Sequence, residues 1–88
     1  MSPTATQYPR IGRDVLAGAL LKDLREDLGL SPELMPHAML RAGIDRDYIP
    51  SGRTIRRIED AGVRPCVRYR FGLAAFFDRK QSTIWGSQ

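Results

Sequence analysis

Cysteine, histidine and tryptophan each occur once in these 88 residues, at Cys66, His37 and Trp85, and lysine occurs only at Lys22 and Lys80. A single thiol can form neither an internal disulfide nor a cysteine-based zinc site, so Cys66 is expected to be a small buried residue. His37 has no Asp, Ser or Cys at a catalytic spacing, which leaves no Ser/His/Asp or Cys/His arrangement. There is also no glycine-rich phosphate loop and no metal-ligand spacing, so the expectation is a non-enzyme with no cofactor and no metal. No run of about 18 apolar residues is present, and hence no membrane span. The opening Met1-Ser-Pro-Thr-Ala-Thr-Gln7 lacks the basic start and apolar core of a signal peptide. The protein is therefore expected in the cytoplasm of the cell that makes it.

What the chain has in excess is arginine. Residues 1–50 carry six basic and seven acidic side chains, whereas residues 51–88 carry eight basic and three acidic. The net charge of +4 is thus concentrated in the second half. A one-sided electropositive surface points to phosphate, an anionic membrane or an acidic protein. A chain of this length makes one domain, with a small helical core rather than a deep catalytic cleft.

Residues 1–12 hold Pro3, Pro9 and Gly12 with little periodicity and read as a flexible arm. The domain then runs over 13–80, with a tail over 81–88. A first helix is predicted over 13–29, with Leu20, Leu21, Leu24 and Leu28 facing the core and Lys22, Asp23, Arg25, Glu26 and Asp27 on the solvated side. Ser31-Pro32 is a helix-start signal, but Pro36 either distorts that helix or starts it afresh. Met35 and Met39 are core filler, and Gly43 closes the segment. Pro50 cuts short a turn over 45–49. Ser51 then caps an arginine-rich helix over about 52–61, in which Ile55 and Ile58 share a buried face and Arg53, Arg56 and Arg57 project outward. Gly62 and Pro65 mark its end. Further on, Val67, Phe71, Ala74 and Phe77 share one helical face, and Gly72 weakens that helix.

In order, these pieces resemble the lambda-repressor/Cro-type (xenobiotic-response-element-type) helix-turn-helix family. Leu21-Lys-Asp-Leu-Arg-Glu-Asp-Leu-Gly-Leu-Ser31 resembles the family's first helix and its Gly-Leu-Ser junction. Ala42-Gly-Ile44 resembles the join between helices two and three. Arg53-Thr-Ile-Arg-Arg-Ile-Glu59 resembles the recognition helix, with Pro65 in the place of the family's Pro-Ser. The stretch from Ser31 to Gly43 is about three residues longer than the family pattern, and a further insertion lies between Ile44 and Ser51. Recognition could therefore start at Asp45, with Arg46 and Tyr48 reading bases, or at Ser51. The second register is preferred, because Pro50 ends the first after barely one turn.

The resemblance implies an all-α bundle of four to five helices containing a helix-turn-helix. It also implies a double-stranded DNA-binding transcriptional regulator, a phage or prophage repressor or Cro-like protein, acting as a homodimer. Arg53 and Arg56 are then candidates for base edges. Arg57, Arg64 and Arg68 are candidates for phosphates, with Ser51 and Thr54 as hydroxyl donors. Phe76, Phe77, Ile84 and Trp85, too apolar for free exposure, are candidate dimer residues. A second resemblance, to the winged helix of phage excisionases and MerR relatives, would make Arg68-Tyr69-Arg70-Phe71 a wing strand and the protein a DNA-bending factor. A third possibility is an antitoxin or adaptor module that grips an acidic protein.

Overall fold

The first helix and the arginine helix touch backbone to backbone. A Cβ placed on Gly18 would overlap the carbonyl oxygen of Ile58, so only glycine permits this approach. The computed structural model describes the backbone of residues 4–86 and the side chains from Asp14 onward. Its elements are α1 (Thr4–Asp27), α2 (Met35–Arg41), a 3-10 turn (Arg46–Tyr48), α3 (Gly52–Ala61), α4 (Val67–Phe76) and α5 (Gln81–Trp85). Among the described residues there is no strand, and the chain is an all-α arrangement of five helices. No helix among them is long and apolar enough to cross a membrane.

α1 begins at Thr4, not at 13, so the segment expected as an arm is helical from Thr4 onward. Extending a helix already anchored by packing costs far less than nucleating one, and Pro9 removes only one backbone bond. The two alternatives for α2 resolve in favour of a fresh start. Ser31 caps a turn by accepting the Leu34 amide at 3.2 Å, and α2 then begins at Met35. Pro36 thereby falls in the first helical turn, where its missing amide is no loss.

The core gathers Ala17 and Leu21 of α1, Met35 and Met39 of α2, Ile55 and Ile58 of α3, Leu73 and Ala74 of α4, and Ile84 and Trp85 of α5. Trp85 is fully enclosed, at 0% exposure. The stretch expected as a tail over 81–88 therefore supplies the largest core side chain, while Ser87 and Gln88 lie outside the described residues. In α1 the buried face is Ala17, Gly18, Leu21 and Arg25, successive at helical spacing, while Leu28 lies past the helix end and is exposed.

α4 faces the core differently from the sequence expectation. Val67 and Phe71 are half exposed, and Gly72, Leu73 and Ala74 are buried. The reason is the 3-10 turn, on which α4 packs so closely that a Cβ on Gly72 would overlap the Tyr48 carbonyl oxygen. The glycine that weakened the helix on propensity is the one the packing requires. The wing strand over 68–71 is overturned, because those residues are the first turns of α4, with the Arg70 amide bonded to the Cys66 carbonyl at 3.0 Å. Cys66 precedes α4 at its N-cap position and is exposed, not buried as expected.

Candidate nucleic-acid interface

α3 is bounded as its sequence suggested. Ser51 is extended, and its hydroxyl oxygen accepts the Thr54 amide at 3.2 Å, satisfying a donor at the helix start. The same hydroxyl donates to Thr54 Oγ1 at 3.1 Å, so the two hydroxyls expected as DNA donors hold each other in the free protein. The helix stops at Gly62, left-handed at φ 67°. Ile55 and Ile58 are buried, and Arg53, Arg56 and Arg57 are exposed on the opposite face. Asp60 shares that face and lowers its net charge.

A buried ion pair orients this helix. Arg25 of α1 donates from Nε to Glu59 Oε2 at 2.7 Å and from Nη2 to Oε1 at 2.8 Å, while Nη1 donates to the Leu30 carbonyl at 2.6 Å. The two side chains are 8% and 3% exposed, so the fork is almost wholly removed from water. The hydrogen bonds that Arg25 donates to Glu59, against the opposing cost of burial, hold the guanidinium pKa above its ordinary value. The sequence reading placed Arg25 on the solvated face and assigned Glu59 no contact. Helical spacing held the signal for both, since Arg25 is four residues past Leu21 and Glu59 four past Ile55.

The other arginines divide. Arg53 and Arg57 make no ion pair among the described residues. Arg56 Nε donates to Glu33 Oε2 at 2.6 Å across an exposed pair, with side chains 56% and 57% accessible. A pair so open to solvent holds weakly and can exchange its carboxylate for another anion. Arg64 is committed inward, its Nη1 donating to Asp14 Oδ1 at 3.2 Å, with Asp14 8% exposed. It therefore staples the segment after α3 to α1 instead of presenting a free guanidinium. Arg68 is exposed on the first turn of α4, outside α3. Arg46, in the 3-10 turn, lines a hollow with His37, Ser51 and Tyr69 beside the start of α3, and so extends the basic surface there. The sequence offered Arg46 only in the alternative register, and its nearness to Ser51 and Tyr69 arises because the fold brings α2 and α4 to the same hollow.

The residues expected at a dimer interface are not at the surface together. Ile84 and Trp85 belong to this chain's own core, which overturns their assignment to a subunit contact. Phe76 and Phe77 are partly buried against that core and meet edge to face, ring centres 5.0 Å apart at 72°. Among the described residues no group of three or more His, Cys, Asp or Glu side chains could hold a metal ion.

What remains at the surface is a rigid ten-residue helix presenting guanidinium forks. Such forks bond guanine edges bidentately and bond phosphate oxygens, and they do so equally to carboxylates. The fold and this face define a small all-α protein with a basic helical surface. The chain matches no protein-family model, no curated protein and no solved structure.

Proposed function

We propose that this chain binds duplex DNA by laying α3 in the major groove, and that it regulates transcription as a repressor or Cro-like protein of the helix-turn-helix kind. The observation that carries the reading is the division of α3. Its isoleucines are sunk in the core, its end is locked by the Arg25–Glu59 fork, and three arginines are displayed opposite. That fork also joins the two stretches that carry the resemblance, Leu21–Ser31 and Arg53–Glu59. Arg53 and Arg56 are assigned to base edges, and Arg57 and Arg68 to phosphates. Arg64 drops from the phosphate set because Asp14 holds it.

Arg56→Ala tests the reading, with fluorescence anisotropy on a panel of duplexes. Loss of a bidentate base contact costs about 1–3 kcal/mol of discrimination. Unchanged affinity together with unchanged base preference removes α3 from the reading role.

An adaptor or antitoxin reading is favoured by one observation: Arg56 already grips a carboxylate, that of Glu33. On that reading the arginine face would hold an acidic protein, and the chain would be indifferent to duplex DNA at physiological salt.

A further inference from the structure

α4 leaves an apolar stripe without cover. Val67, Phe71 and Ala75 recur every four residues along its outer face, and Phe71 is 51% exposed. Two surface hollows flank the ridge made by Phe71 and Ala75. One is bordered by Ile44, Asp45 and Tyr48, and the other by Arg79, Lys80 and Gln81. The ridge thus has an acidic shoulder on one side and a basic shoulder on the other. No arginine of α3 lines either hollow.

We propose that this ridge is the subunit contact of a homodimer, with Phe71 of each copy near a two-fold axis. A two-fold contact places each surface patch against its own copy in reversed order, so it demands self-complementarity. Rotation about an axis at Phe71 that runs along α4 sets the Asp45 shoulder of one copy against the Arg79 and Lys80 shoulder of the other, twice over. The same rotation pairs the two Phe71 rings and covers the exposed apolar area. This charge order singles out a second copy of the chain over a partner of single charge. It deepens the DNA-binding reading and rests on it only for purpose, since no α3 residue lines the hollows that flank the contact.

Sedimentation equilibrium of the full chain, without DNA, tests the contact separately from DNA binding. The wild type is expected to approach twice its 9.9 kDa mass at tens of micromolar and to dissociate more readily at high salt. Phe71→Ser should remain monomeric at the same concentration with an unchanged helical circular dichroism spectrum, because the ring is half exposed. Asp45→Asn keeps the side-chain acceptor that the Asp47 amide uses at 2.9 Å and removes only the charge. It should raise the dimer dissociation constant by several-fold, and should have less than half that effect when Arg79→Gln and Lys80→Gln are already present. A wild-type monomer, a dimer indifferent to Phe71→Ser, or additive charge effects would each overturn the assignment. Sequence-specific DNA binding by such a monomer would leave the DNA reading standing while removing this interface.

Discussion

Glu59→Gln probes the joint between α1 and α3 with minimal change of shape. The substitution keeps the volume and one acceptor but leaves the Arg25 guanidinium facing a neutral amide, at a site where both side chains are less than a tenth exposed. Breaking a buried pair by neutralising one partner costs about 3–5 kcal/mol, because the remaining charge stays in a poorly solvating environment. A domain of this size has roughly 4–13 kcal/mol of stability in all, so the loss is a large fraction of it. With Tm falling about 4–8 °C per kcal/mol in small domains, a drop of at least about 12 °C is expected. The double variant Arg25→Met with Glu59→Leu removes the stranded charge. It still orphans the Leu30 carbonyl, which Arg25 Nη1 now bonds at 2.6 Å, at about 1–3 kcal/mol. The double variant should therefore be more stable than Glu59→Gln alone. Urea denaturation of the wild type, Arg25→Met, Glu59→Leu and the double variant gives the coupling. If the double variant loses the sum of the single losses, the two side chains act independently and the account of the joint is wrong.

Three further outcomes follow from particular contacts. Trp85→Ala should cost about 3–5 kcal/mol, because the ring is fully enclosed; thermal melting that left Tm within a degree or two of wild type would return the ring to the surface. Gly72→Ala forces a methyl into the Tyr48 carbonyl and should destabilise by at least about 1–3 kcal/mol, although alanine is the better helix former; a stabilised variant in the same melt would contradict the packing of α4 on the 3-10 turn. Glu33→Gln releases Arg56 from an exposed pair and should change stability by less than about 1 kcal/mol. The same variant should tighten duplex DNA binding, and weaker binding by anisotropy would show that Glu33 positions Arg56 instead of competing with DNA for it.

Local chemistry carried α3 almost whole. A capping serine, two isoleucines three apart and a left-handed glycine act within a dozen residues, so their pattern is complete in the sequence. Pro50 likewise limits the segment before Ser51 to a 3-10 turn over Arg46–Tyr48, as the sequence led one to expect. The α4 face was lost because hydrophobicity assigns Val67 and Phe71 inward, whereas a backbone carbonyl against Gly72 decides the orientation. No periodicity of side chains reveals such an approach. Helical spacing puts Arg25 and Glu59 on buried faces, but their pairing is not visible in the sequence, since each charge looks solvated until the other, 34 residues away, is placed beside it. Trp85 misled because a lone aromatic near the end of a short chain fits an interface as well as a core. In so small a fold the core needed that ring, and a fifth helix delivers it.

The most direct test of the central claim is a fluorescence anisotropy titration of the chain against the DNA upstream of its own gene and a shuffled duplex, at low and near-physiological salt. The account predicts a preference for the native duplex that persists at the higher salt and disappears in Arg56→Ala. Equal binding to both duplexes, erased by salt, would mean only that a basic surface meets phosphate, and would contradict sequence reading by α3.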